Sequence, residues 1–187
     1  SGFHNFYISI HYKADMVKEY FGDGKKQGIT INYIYEDKPL GTAGALGLLP
    51  SDLPKLPILM MNGDLLTTID FEQLLSFHYK KGGDATMCVR EYDFKVPYGV
   101  IEENNGCITS IKEKPVYKFF INAGIYVLNP SILNIVNGID YLDMTQLLEK
   151  RMEGSGKVNT FPMHEYWLDI GQIEEYEKAN LEVMDLF

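Results

Sequence analysis

The run "PILMMNGD" at residues 57–64 is nearly continuous apolar sequence that stops at Asn-Gly-Asp. With no polar residue alternating along it, a strand built from this run has no solvated face. It is expected inside a parallel sheet with helices on both sides, its carboxylate at the exposed end. The rest of the chain supplies the matching parts. "FYISI" (6–10) and "ITINYIY" (29–35) are β-branched and aromatic, and the helical pattern "ADMVKEYF" (14–21) between them stops at Gly22. Together they read as a strand, helix, strand unit. A helix is expected at 70–83, "DFEQLLSFHYKKGG", with Asp70 as N-cap, Gln73 at the capping-box position and Gly82 beyond the end.

Further on, "ATMCVRE" (85–91) alternates like a strand, and "YGVIEENNGCITSIKEKP" (98–115) reads as two strands around an Asn-Asn-Gly turn. "FINAGIYVLN" (120–129) is another buried strand. Helical patterns follow at 131–138 and 143–154, then a strand at 158–163 and a C-terminal helix over 173–186. The expected class is α/β: a mostly parallel layered sheet with an inserted β-hairpin, in a single domain over 1–187.

Composition narrows the partners. A chain of 187 residues, 45% hydrophobic and 13% aromatic, can bury one sizeable core. The formal charge of −9 opposes a broad nucleic-acid or anionic-membrane surface, although local lysines or a metal ion can still attract a small anion. Cys88 and Cys107 are too few for a disulfide scaffold, no spaced Cys/His cluster suits zinc, and both cysteines read as reduced thiols. No run approaches the ~20 apolar residues of a membrane span, and the start lacks a signal pattern. The expectation is a cytoplasmic protein with neither a nucleic-acid nor a membrane partner.

Several residues are candidates for chemistry. In "EDKPLGTAGALGLLP" (36–50), Gly41, Gly44 and Gly47 recur every third residue in an otherwise helix-ready stretch. Each costs about 1 kcal/mol relative to alanine within a helix, so either a ligand approaches the backbone or two segments pack closely. Ligands of open α/β sheets gather at the carboxyl ends of strands, where Asp64 sits, with Gly63 leaving room beside it. Asp169 in "WLDIG" is similar. If these two carboxylates converge they can share one Mg²⁺, which takes one or two carboxylates and otherwise prefers phosphate oxygens and water. Glu113 and Lys114, just before Pro115, are either a solvated surface pair or a phosphate contact beside an acceptor for sugar hydroxyls. "VPYGV" and "NAG" each set a small residue beside an aromatic or polar one at a strand edge.

The order and spacing of "PLGTAGAL", "NGD", "YGV", "EKP", "NAGIYVL" and "WLDIGQIEEYEKA" resemble the sugar-1-phosphate nucleotidyltransferases, which make activated sugars such as dTDP-glucose or GDP-mannose. The resemblance runs from about residue 5 to 182. It implies that Leu40, Gly41, Thr42, Ala43 and Gly44 lie against the nucleotide base, the glycines permitting the contact, with Gly63 also on the nucleotide side. It further implies that Asp64 and Asp169 bind Mg²⁺, and that Tyr98, Gly99, Glu113, Lys114, Asn122 and Gly124 line the sugar-phosphate pocket. Asp64, Lys114 and Asp169 would be catalytic, and Trp167 a support. The substrates would be a nucleoside triphosphate and a sugar-1-phosphate.

The family opens with a strand, a G-x-G-T-R loop that cradles the triphosphate, and a lysine, none of which this sequence contains. Residues 1–187 are therefore expected to be the C-terminal portion of a catalytic domain, inactive alone. The missing strand would lie between those at 6–10 and 57–61. Its neighbours either close up and pair or are covered by a second chain; the second outcome, a homo-oligomer, is the favoured one. The alternative function is a non-catalytic nucleotide-sugar-binding or regulatory module. A glycosyltransferase of related fold should carry an Asp-x-Asp motif, and none occurs.

Overall fold

Strand β1 (Asn5–Ile10), helix α1 (Ala14–Phe21) and strand β2 (Thr30–Tyr35) open the fold in the computed structural model, which describes residues 2–171 and 173–186. β1 and β2 pair in parallel from Asn5↔Thr30 to Ile10↔Tyr35, the arrangement expected of this unit. The chain continues through a short helix α2 (Gly41–Gly44) and a 3-10 turn (Ala45–Leu48) to β3 (Ile58–Met61) and β4 (Leu65–Thr67). Helix α3 (Phe71–Lys81) begins where the Asp70 carboxylate accepts the Gln73 N–H at 3.0 Å and ends at Gly82, whose φ is 60°.

Strands β5 (Ala85–Lys95) and β8 (Val116–Leu128) bracket the hairpin of β6 (Val100–Asn104) and β7 (Cys107–Lys112). Asn105 and Gly106 both take positive φ in its turn, as a tight two-residue loop demands. A 3-10 turn (Pro130–Ile135) occupies the expected helical pattern at 131–138. Then come α4 (Met144–Glu153), β9 (Val158–Pro162), β10 (Trp167–Asp169) and α5 (Ile173–Leu186). The α/β class and the inserted hairpin are as the sequence implies.

The largest sheet has the order β3-β8-β5-β9, with β5 and β9 parallel and the other two ladders antiparallel. β8 is its centre, and successive buried residues serve opposite faces. Tyr126 and Leu128 pack with Leu142, Met144, Leu147 and Leu148 around α4. Ala123, Ile125 and Val127 pack with Ile69, Leu74 and Phe161 around α3. The expectation of a fully buried β3 in a parallel sheet is corrected. β3 pairs antiparallel with β8, its one partner among the described residues, and Met61 is 42% exposed. β8, flanked on both edges, takes the buried central place that the apolar run suggested for β3. Among the described residues β1 and β3 do not pair with each other, so that closure does not occur within the chain.

The three glycines of the α2 stretch pack against protein. A Cβ on Gly41, itself at φ +75°, would lie 2.7 Å from Leu142 O, and one on Gly44 would lie 3.0 Å from Asp140 O. At Gly47 it would come within 2.2 Å of the Gly138 nitrogen. Backbone bonds complete the seam: Ala43 N–H and Gly44 N–H donate to Leu142 O at 2.9 and 3.1 Å, and Leu142 N–H donates to Leu40 O at 2.8 Å. Close packing therefore accounts for the three-residue spacing.

Other polar ties hold the layers together. His78, buried in α3, sits with Nδ1 2.9 Å from Thr86 Oγ1 and Nε2 3.2 Å from Asn129 Oδ1. An amide oxygen only accepts, so Nε2 is the donor to Asn129. Asp84 accepts from Arg151 at 2.7 Å and from Lys157 N–H at 2.9 Å, tying α4 to the starts of β5 and β9. The Arg151 guanidinium, more than the Lys157 amide, holds the Asp84 carboxyl below its ordinary 3.8 despite burial pushing the other way.

Two measurements check this packing. Gly47→Ala should lower stability by about 2 to 4 kcal/mol, because backbone must move to admit the methyl, whereas Gly63→Ala should be nearly neutral, since no atom lies within 4 Å of its Cβ position. Equal denaturation midpoints for the two variants would contradict the seam. Because the folded-state pKa of Asp84 is depressed, its contribution is complete above the ordinary 3.8 and is lost as pH falls below it. Asp84→Asn should therefore cost about 1 to 3 kcal/mol at neutral pH and progressively less in acid unfolding below about pH 4.

Candidate active site

The two aspartates meet through a ladder too short to announce itself. β4 and β10 pair antiparallel with Asp169 opposite Leu65, and Ile170 N–H extends the ladder to Asp64 O at 2.8 Å. More than a hundred residues of chain separate the carboxylates. Yet a Cβ built on Gly171 would lie 3.0 Å from Asp169 Oδ1 and 3.5 Å from Asp64 Oδ2, so both face the same small space. Gly171 N–H also donates to Asp169 Oδ1 at 2.9 Å, fixing that carboxylate. Both side chains belong to exposed residues.

Two oxygen donors beside open space fit Mg²⁺, which keeps waters and phosphate oxygens in its remaining positions. Among the described residues no group of three or more His, Cys, Asp and Glu forms an all-protein cage. Cys88 is buried with its thiol pushed up to about 12 by desolvation, and Cys107 is exposed.

The turn that carries Asp64 leans on β8. Asn62 N–H donates to Gly124 O at 2.9 Å, and Gly124, at φ +70°, has no room for a side chain because Asn62 Nδ2 stands 2.9 Å from its Cβ position. Trp167 Nε1 donates to Ala123 O at 2.8 Å and so pins β10 to the same stretch, a supporting bond. Asn122 lies beside these groups, its Oδ1 accepting Gly124 N–H at 3.0 Å and its Nδ2 donating to Tyr126 Oη at 2.6 Å. Asp64, Asp169, Asn122 and Gly124 are thus one neighbourhood, with Gly63 open at its edge.

Tyr98, Gly99, Glu113 and Lys114 form a second group at the base of the β6–β7 hairpin. A Cβ on Gly99 would lie 3.1 Å from Glu113 Oε2. Lys114 Nζ stands 4.0 Å from Glu113 Oε1, both side chains exposed, and Lys114 takes φ 44°, an uncommon backbone state for lysine. Residues 116–121 of β8 separate this group from Asn122, about 20 Å of strand.

The third group is the α2 stretch. Leu40 and Ala43 are buried; Thr42 N–H donates to Asp143 Oδ1 at 3.2 Å, and Met144 N–H donates to Thr42 Oγ1 at 2.8 Å. Asp143 also receives the Tyr141 hydroxyl at 3.1 Å, and that carboxylate raises the Tyr141 pKa. Ala43 packs in the same cluster as Tyr126, which links this group to the second half of β8.

Sequence reasoning missed Asp143, Tyr126 and Gly171. The signal for Asp143 was its capping box with Gln146, now present at α4. Gly171 was visible only as part of "WLDIG". Tyr126 gave no signal, since residues four apart in a regular strand do not touch.

A family model described as nucleotidyl transferase matches residues 1–185. The chain is 34% identical over 185 residues to a mannose-1-phosphate guanyltransferase of Pichia angusta, covering 90% of this chain and 48% of that protein. It is 32% identical over 176 residues to the mannose-1-phosphate guanylyltransferase catalytic subunit beta of Drosophila melanogaster, covering 90% and 47%. The chain spans about half the length of the curated relatives it matches. Among solved structures, HddC from Yersinia pseudotuberculosis complexed with GMP-PN superposes with a TM-score of 0.70 at 23% identity, covering 95% of this chain and 77% of that one, which shows a common fold. The match over nearly all of the sequence, together with the paired aspartates, leads to one conclusion: the chain belongs to the nucleotidyl transferase family.

Proposed function

We propose that this chain serves the transfer of a nucleotidyl group from a nucleoside triphosphate to a sugar-1-phosphate, with release of pyrophosphate. The observation that carries the reading is the convergence of Asp64 and Asp169 on the space over Gly171. Metal-bridged phosphates are the substrates that such a carboxylate pair suits. Bound between them, Mg²⁺ would neutralise phosphate charge as the sugar-phosphate oxygen attacks the α-phosphorus. No covalent enzyme intermediate is needed, and positioning does most of the work.

The residues divide the labour. Asn122 and Gly124 receive the sugar, and Lys114, with Tyr98, Gly99 and Glu113 beside it, is assigned to the sugar-1-phosphate from the hairpin base; about 20 Å of strand separates the two groups here, so this assignment requires the hairpin base to approach Asn122 when substrate binds. The stretch of Leu40, Gly41, Thr42, Ala43 and Gly44 is the one we assign to the nucleobase, with Thr42 exposed and Leu40, Ala43 and Gly44 buried behind it, and with Gly63 at the nucleotide's edge. The names of the relatives make GTP and mannose 1-phosphate the first pair to test. The setting we propose is the cytoplasm. No helix of the described residues is long and apolar enough to cross a membrane.

We also propose that residues 1–187 are one domain and that this chain self-associates. In support, β1 and β3 each keep one unpaired edge among the described residues. Such edges recruit partners. Light scattering that finds a monomer would overturn this part.

In the enzyme that carries this chain together with a phosphate-binding loop, Asp169→Asn should reduce pyrophosphate release at least about 100-fold while shifting the melting temperature little. Lys114→Ala should raise KM for the sugar-1-phosphate by about tenfold or more and leave KM for the triphosphate almost unchanged. Wild-type turnover by Asp169→Asn would rule out the metal role. Nucleotide-sugar binding without turnover in that enzyme would favour the non-catalytic module.

A further inference from the structure

Strand β8 carries an irregularity that brings together two residues a regular strand would keep apart. Its register with β5 jumps from Met87↔Tyr126 to Val89↔Asn122, so that residues 123–125 stand opposite Cys88 alone. Residues four apart in a regular strand are separated by about 13 Å. Here the bulge, with Gly124 at φ +70°, lets Asn122 Nδ2 donate to Tyr126 Oη at 2.6 Å. On the other side of the amide, Oδ1 accepts Gly124 N–H at 3.0 Å.

The two partners differ in setting. Tyr126 is 2% exposed and packed in the core with Ala43, Leu142 and Leu147, while Asn122 is exposed. An exposed amide is ordinarily free to turn in water. This one is bonded to protein at both ends. An asparagine amide has two N–H donors and two acceptor lone pairs, and the protein uses one of each. One donor and one acceptor remain on the same planar group. Gly124 N–H forbids the flipped amide, because a donor cannot bond the NH₂ nitrogen, and the tyrosine hydroxyl restrains the remaining rotation.

Two neighbouring hydroxyls of a pyranose complement that pattern, since each hydroxyl both donates and accepts. We propose that Tyr126 is a positioning residue, holding the Asn122 amide in the orientation that receives a vicinal diol of a hexopyranose 1-phosphate. The proposal rests on the nucleotidyltransferase reading of this site. Bulges beside active sites commonly re-aim a side chain in this way, and the tyrosine makes the aim rigid before the sugar arrives, so that less freedom is lost on binding.

Tyr126→Phe removes the hydroxyl and keeps the ring that fills the core. Affinity for mannose 1-phosphate, measured by calorimetry on residues 1–187, should fall about tenfold. Asn122→Ala should weaken binding at least as much. Adding Tyr126→Phe to Asn122→Ala should then cost nothing further, because the tyrosine acts only through the amide. Additive losses would show that Tyr126 acts by another route and would overturn the proposal, as would unchanged affinity in Tyr126→Phe. A wild-type chain that binds neither mannose 1-phosphate nor glucose 1-phosphate would instead overturn the functional reading, and the proposal with it.

Discussion

Strand β8 must satisfy its backbone on both edges while burying side chains on both faces, and the rest of the molecule is arranged around that demand. Buried N–H and C=O groups left unpaired are costly, so β3 and β5 flank it, and α3 and α4 close the faces above and below. The bulge at residues 123–125 interrupts the ladder with β5. Beside it, Trp167 Nε1 donates to the Ala123 carbonyl, which draws β10 onto the sheet. On the other edge Asn62 N–H donates to Gly124 O, one step past Met61↔Ile125, so the β3 ladder runs on into the turn that carries Asp64. The bulged stretch of β8 is thus where the two aspartates and Asn122 gather.

Much of this was legible in the residues. The α3 cap is written in Asp70, Gln73 and Gly82, the hairpin turn in Asn105 and Gly106, and the β1–α1–β2 unit in its alternating patterns. These features are local, decided by groups within a few residues of one another. β4 and β10 went unread because three residues show no period, and their partnership spans the chain. The glycine spacing signals close approach, but the expectation that the glycines admit a nucleotide base is corrected, because which surface approaches is a long-range fact. It proves to be the 138–143 segment. β3 misled for a related reason: a run of apolar side chains reports burial, not the direction of the neighbouring strand.

Within the site, legibility followed the same divide. Asp64 and Asp169 each sit at a strand end, which the sequence suggested, but only the fold could say that they share one space. Of the six residues expected to line one sugar-phosphate pocket, the hairpin group meets across the base of β6 and β7, where Gly99 lies against Glu113. Its distance along β8 from Asn122 was not apparent, because no pattern in the sequence reported that β5 and β8 run on as a long pair beyond the core.

The β4–β10 ladder also bears on the order of folding. Joining segments about a hundred residues apart carries a loop-closure cost that rises with the logarithm of the separation, and three residue pairs cannot offset it alone. β4 and β10 can therefore dock only after β8 and its flanking strands have brought the two ends of that loop within reach. The aspartates are the last pieces to meet. A partly folded chain, even one with its central sheet formed, presents Asp64 and Asp169 as two isolated carboxylates rather than as the converging pair of the folded molecule.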